Sequence, residues 1–292
     1  MSDHGDSALT ENEIRCKIEK VERVTQMKRK KTKTTVLYAA VAVILIGVLA
    51  FAGYQALKIY IPQSNESRDF ALIKEEAGIE DISAQTIIDG SKSPKSDSSS
   101  EDNAAMKKLA KKNSDFVGWL SIEDTEIDYP VMKSSESDPE YYLHRDFDKN
   151  YSYSGTLFIG EGCNADSDIF VIYGHNMNSG SMFGSLDSYK SGSFALEHKD
   201  IVFRTPDETR VYRVFAAFQT KLVPEESDEF AYYRSVGKLS EEEYNKALEN
   251  IRNMSEIAMN DVPKYPDQIM FLSTCYYHTD EGRFVTAAYR IV

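Results

Sequence analysis

The chain has 292 residues, of which 34 are Lys or Arg and 47 are Asp or Glu, giving a formal net charge of −13 at pH 7. That acidic balance argues against nucleic acid as a partner, because phosphate backbones are held by clustered basic charge. Three cysteines, Cys16, Cys163 and Cys275, are too few for a disulfide-built scaffold.

The charge is unevenly spread. Residues 1–33 hold nine basic and six acidic side chains, leaving 25 basic and 41 acidic for the remainder. The basic cluster Lys28-Arg29-Lys30-Lys31-Thr32-Lys33 directly precedes an almost wholly apolar run from Thr35 to Leu57. A transmembrane helix needs about 20 such residues. A cleaved signal peptide has an apolar core of about 7–15 residues close to the N-terminus, and this run is longer and starts later. The positive-inside rule then puts the basic cluster in the cytoplasm and the long C-terminal part outside. The expected organisation is a cytoplasmic tail (1–33), a single-pass anchor (34–58), an extracellular stalk and linker (59–103) and a globular domain (104–292).

Within the stalk, short mixed runs such as Phe70-Ala71-Leu72-Ile73 suit one or two helical turns. Residues 90–100 contain no apolar side chain, cannot offset their ordering entropy by burial and read as a flexible linker. From Glu101 the pattern becomes globular. Ala104 to Lys112 reads as a short helix. Strands follow at 116–122 and 127–132, at Gly155–Gly160 and at Asp168–Tyr173. A hairpin around Pro206-Asp207 joins 201–203 to 209–220, and two C-terminal strands cover 269–272 and 284–289. About eight short strands with turn signals between them favour a mostly β, closed barrel over a parallel sheet. One long helix interrupts them. Ser240-Glu241-Glu242-Glu243 is a capping box, and Tyr244, Ala247, Leu248, Ile251 and Met254 follow at helical spacing as a packing stripe.

Chemistry concentrates in the last strands. Phe271-Leu272-Ser273-Thr274-Cys275 delivers a cysteine to a strand end, and Arg283 opens the next apolar run. Two strands joined by a short loop bring thiol and guanidinium to one sheet edge, where the cation favours the nucleophilic thiolate. Upstream, Ile169 to Tyr173 is a strand followed by Gly174-His175-Asn176. Cysteine, histidine and arginine at three strand ends suit covalent catalysis. On its own, a cysteine closing an apolar strand is commonly a small buried hydrophobe. Of the other histidines, His4 is cytoplasmic, His198 and His144 have charged neighbours, and His278, three residues beyond Cys275, lies in a polar loop and is the rival base. Cys163, in the loop Gly160-Glu161-Gly162-Cys163-Asn164, has no cationic neighbour in sequence and reads as a bystander thiol. Carboxylate and His/Cys spacings match neither a calcium loop nor a zinc site, so no metal or cofactor is expected.

Tyr-Gly-His-Asn-Met at 173–177, Leu-Ser-Thr-Cys at 272–275 and Gly-Arg at 282–283 resemble, in order and local sequence, the class B branch of the sortases, the membrane-anchored cysteine transpeptidases of Gram-positive cell surfaces. The resemblance runs from about Asn113 to Val292 and includes the long helix between late strands. It implies a sortase-type eight-stranded barrel as the catalytic domain. It makes Cys275 the nucleophile, His175 the general acid and base, and Arg283 the oxyanion stabiliser, with Ser273 and Thr274 in supporting substrate-binding roles. The implied partners are surface proteins with a C-terminal Asn-Pro-x-Thr-type sorting signal and a peptidoglycan precursor or crossbridge amine. A pilus-assembling sortase with a protein lysine as acceptor, a simple cysteine peptidase and a non-enzymatic surface module are the alternatives. Phe271 departs from the family pattern, standing where threonine is common.

Overall fold

The structure, a computed structural model, describes residues 11–91 and 98–292. The chain divides into two compact units, 1–61 and 62–292. In the first, the described residues belong to helix α1 (Glu11–Ala77). Leu37–Gln55 is a 19-residue apolar stretch of mean hydropathy 2.3, and it meets by length and composition the requirement for crossing a bilayer.

The second unit is built on a closed barrel of eight strands. These are β1 (Phe116–Ile122), β2 (Asp128–Met132), β3 (Leu157–Ile159), β4 (Ile169–Tyr173), β5 (Asp200–Arg204), β6 (Thr209–Lys221), β7 (Ile269–Cys275) and β8 (Gly282–Arg290). Around the barrel they run β1-β2-β3-β4-β7-β8-β6-β5, and β5 pairs back onto β1. Closure leaves no open edge in the ring. All pairings are antiparallel except β2 with β3 and β4 with β7. A parallel pair requires a long crossover, and the chain between β4 and β7, which runs through β5, β6 and the β6–β7 connection, supplies it. That connection contains α5 (Glu241–Met254), which follows α2 (Ala84–Ser91), α3 (Ser98–Lys112) and α4 (Gly192–Glu197) in chain order.

Helix α5 begins at the expected capping box: Ser240 Oγ accepts from Glu243 N at 3.3 Å, and Glu243 Oε2 accepts from Ser240 N at 2.8 Å. Its stripe Tyr244, Ala247, Leu248 and Ile251 is buried. Inside the second unit, Trp119, Leu157, Phe170, Phe203, Phe218 and Leu272 are fully buried in one continuous core.

The segment expected to be a stalk departs from that expectation. Phe70, Ile73 and Ile79 join the same core cluster as the barrel residues, with the Phe70 ring 5.6 Å from that of Tyr129 and edge-on to it. Each such side chain contributes about 1.5–3 kcal/mol by leaving water. Lys74 donates to Asp128 at 2.5 Å, and Arg204 donates to the Glu80 carbonyl at 2.7 Å. In α2, Ala84 packs with Val202 and Val211. Residues 92–97 of the expected linker lie outside the described residues.

The C-terminal strand is tied down by charge. Glu208 accepts Arg290 Nη1 at 3.0 Å and Nη2 at 2.7 Å, and Arg210 Nε at 2.8 Å. The bonds from Arg290 hold its carboxyl below the ordinary range, against partial burial. A carboxyl depressed by folding stabilises the fold above its unfolded pKa and loses that contribution as pH falls through the folded one. Glu208→Gln is therefore expected to unfold at lower urea concentration than the parent at pH 7. The gap should narrow as pH is lowered through and below 4.5, the carboxyl's ordinary value.

Candidate active site

Parallel strands end on the same side of a sheet. β4 and β7 pair in unbroken register from Ile169 with Ile269 to Tyr173 with Ser273. His175 and Cys275 each lie two residues beyond that last pair, so the register brings both to the same end of the two strands. On the other flank, Cys275 is directly opposite Arg283 in the antiparallel pairing with β8. Directly opposed residues share a face. Histidine, cysteine and arginine therefore form one row across three adjacent strands at one barrel rim. Residues a hundred apart in sequence become neighbours through this register alone.

Each member of the row has its own support. His175 Nε2 is 2.9 Å from the Leu143 carbonyl, which only accepts, so Nε2 carries a proton and donates it there. Leu143 sits in the 3-10 turn Tyr141–His144, and the His144 ring lies 5.3 Å from that of His175. Cys275 is a half-buried free thiol. Arg283 is mostly buried, with 18% of its side chain exposed, and Nη1 donates to the Gly282 carbonyl at 3.0 Å. Its carboxylate partner among the described residues is Glu281, at 3.7 Å and 68% exposed. So distant and solvated a partner leaves most of the guanidinium's donor capacity for another oxyanion.

Beneath the row lie hydroxyl groups. Ser273 is fully buried and its Oγ is 2.7 Å from the Tyr232 hydroxyl, while Thr274 Oγ1 donates to the Gly174 carbonyl at 2.7 Å. Both residues expected in supporting substrate-binding roles thus have their hydroxyls bonded within the protein. Ser273 meets a tyrosine of the β6–β7 connection, and Thr274 the backbone just after β4. Burial pushes the Tyr232 hydroxyl up to about 12, against its bond to Ser273 and the charge of Arg283. Burial likewise raises Tyr173, whose ring stands over Gly160.

The β7–β8 turn is held tightly. Tyr276 N donates to Gly282 O at 2.9 Å, and Lys190 donates to Tyr276 Oη at 2.6 Å and to Asp187 at 3.0 Å. His278 is exposed on this turn, its ring 5.2 Å from that of Tyr276. A Cβ at Gly282 would stand 2.0 Å from the Tyr276 carbonyl oxygen, which no rotamer relieves. Gly282→Ala is accordingly expected to displace Arg283 and lower kcat by about 10²-fold, the scale of a positional error of about 1 Å at a site. Steady-state kinetics beside a thermal melt checks it.

Cys163 is buried elsewhere, with Sγ 3.5 Å from the Gly160 carbonyl, and burial raises its thiol pKa. Neither Cys163 nor Cys275 is in a disulfide. Leu143, Tyr232, Tyr173 and Lys190 were not singled out from sequence. Tyr232 and Lys190 carry no local signal, Leu143 acts through a backbone carbonyl, and Tyr173 lies inside the 173–177 motif but acts through a buried ring.

A closed mixed barrel with a thiol flanked by imidazole and guanidinium at its rim defines a cysteine acyl-transfer enzyme. Residues 120–291, more than half of the chain, match the sortase domain family, and the protein belongs to that family. Sortase B of Listeria monocytogenes is 28% identical over 254 residues, which span 84% of this chain and 93% of that protein. Sortase B of Staphylococcus aureus is 24% identical over 238 residues, 80% of this chain and 88% of that one. Among solved structures, the S. aureus sortase B–substrate complex superposes with TM-score 0.62 at 22% identity, over 79% of this chain and 98% of its own. Sortase B from Bacillus anthracis matches with TM-score 0.55 at 29% identity, over 64% of this chain and 84% of its own. The protein is thus a class B sortase, a cysteine transpeptidase with a role in anchoring proteins to the cell wall.

Proposed function

We propose that this enzyme cleaves a C-terminal Asn-Pro-x-Thr-type sorting signal after threonine and transfers the protein to a peptidoglycan amine. The Cys275 thiolate attacks the threonine carbonyl, forming the C–S bond and pushing the carbonyl electrons onto oxygen. Arg283 donates to that oxyanion, and His175, as imidazolium, gives a proton to the departing amine as the C–N bond breaks. The resulting thioester keeps the acyl group activated. An incoming amine attacks it, His175 accepts the amine's proton, and the thiolate is released. Water competes for the same thioester, so slow hydrolysis accompanies transfer.

The observation that supports this reading best is the single row of His175, Cys275 and Arg283 set by the β4–β7–β8 register. The apolar stretch Leu37–Gln55 behind Lys28 to Lys33 suits a single-pass anchor with the N-terminus cytoplasmic and the catalytic unit outside. Detergent-solubilised full-length enzyme should join an Asn-Pro-x-Thr peptide to an oligoglycine or a diamino-acid stem peptide. Transfer confined to a lysine of a protein subunit would make it a pilus-assembling enzyme, and hydrolysis indifferent to any amine would make it a peptidase.

A further inference from the structure

The β4–β7 ladder stops where the chemistry begins. Gly174 N donates to the Ser273 carbonyl at 3.2 Å. Bonds of a parallel ladder recur at every second residue, so the next rung would join the Asn176 amide N–H to the Cys275 carbonyl. The backbone has turned away by then. Asn176 pairs antiparallel with Met182, and Phe183 N donates to the His175 carbonyl at 3.0 Å. In place of the missing rung, Asn176 Nδ2 donates to the Cys275 carbonyl at 2.7 Å. Thr274 Oγ1, bonded to the Gly174 carbonyl at 2.7 Å, laces the same two strand ends one residue earlier.

We propose that Asn176 positions the nucleophile: its side-chain amide replaces a β-ladder rung and holds the Cys275 carbonyl, keeping the thiol in line with His175 and Arg283. Cys275 is the last residue of β7, and the peptide after it opens the turn to β8. The peptide plane at that junction is held on one side by Tyr276 N, which donates to the Gly282 carbonyl at 2.9 Å, and on the other by the bond from Asn176 to the Cys275 carbonyl, without which it can tilt about the first. Rotation there swings Cβ and Sγ away from the guanidinium and imidazole. One amide bond thus ties the nucleophile directly to the residue next to its acid and base. Asn176 touches no reacting atom and acts through Cys275.

The proposal rests on Cys275 being the nucleophile, and the test separates the two. Asn176→Leu, which keeps the size and removes the donor, is compared in full-length enzyme with Asn176→His, whose Nδ1 offers a donor at the same reach. The readouts are kcat and KM with an Asn-Pro-x-Thr peptide, thermal unfolding, and the pH profile of iodoacetamide alkylation of Cys275 located by peptide mass spectrometry. For leucine, kcat should fall about tenfold, the size of one hydrogen bond lost to a buried carbonyl. KM should change by less than about twofold, as expected when ground-state binding is untouched. The alkylation profile of Cys275 should depart from the parental one as the thiol is displaced, and histidine should restore both kcat and profile. Parental kcat and alkylation profile in the leucine variant would overturn the proposal, as would equal impairment of leucine and histidine variants at parental melting temperature. Should leucine not fold, Asn176→Ala takes its place under the same outcomes. If the parent itself fails to cleave the peptide, the substrate assignment falls, while the alkylation profiles still decide the role of Asn176.

Discussion

Cys275→Ala is expected to abolish both transfer and hydrolysis of an Asn-Pro-x-Thr peptide, a loss of more than about 10³-fold, since removing a nucleophile is among the costliest single changes to a site. The expectation follows from the thiol's place between a guanidinium and an imidazole, where no other described cysteine stands. Cys163→Ala is the matched control. Burial raises the Cys163 pKa, which keeps that thiol protonated and inert, so the variant should turn over at close to the parental rate. Release of the leaving amine, followed by chromatography for both variants, checks the pair. A severe loss in a folded Cys163→Ala protein, or retained turnover in Cys275→Ala, would overturn the assignment.

Arg283→Lys should be nearly as damaging as Arg283→Ala, each lowering kcat by about 10²–10³-fold, the scale for loss of an oxyanion donor. A lysine keeps the charge but loses the planar fork. The fork is held by strand β8 and the Gly282 carbonyl rather than by a mobile loop, and its partner Glu281 is too far away and too exposed to neutralise it. Directed hydrogen bonds are therefore what the site supplies beyond charge. A lysine variant with near-parental turnover and an unchanged alkylation profile would show that charge alone suffices.

Much of this was legible in the chain because it is encoded locally. Short runs rich in apolar, β-branched and aromatic residues mark β1, β6, β7 and β8, and the Ser240 capping box marks the start of α5 to the residue. The motif residues at 173–177, 272–275 and 282–283 point to the site. The parallel pairing of β4 with β7 was not legible, since the register between segments a hundred residues apart is set by barrel closure and not by either segment alone. Phe70 and Ile73 stand three apart on one face of a helix, a packing signal outweighed by the serine-rich stretch after them, and the compact unit begins at Pro62 rather than near residue 104. Ser273 and Thr274 illustrate a different gap. Their polarity beside a nucleophile suggested contact with substrate, but both hydroxyls are bonded within the protein. Asn176 is visible as a letter in a motif, yet its part depends on where the ladder stops, which only the folded chain defines.

The most direct test of covalent transfer at Cys275 is the intact mass of the full-length enzyme, mixed with an Asn-Pro-x-Thr peptide and quenched in acid within one turnover. The expected result is a mass gain equal to the acyl portion ending in threonine, located on Cys275 by peptide mapping and discharged by added oligoglycine to give the ligated product. Ligated or hydrolysed peptide formed with no adduct ever detected on Cys275, or with the adduct on another residue, would contradict it.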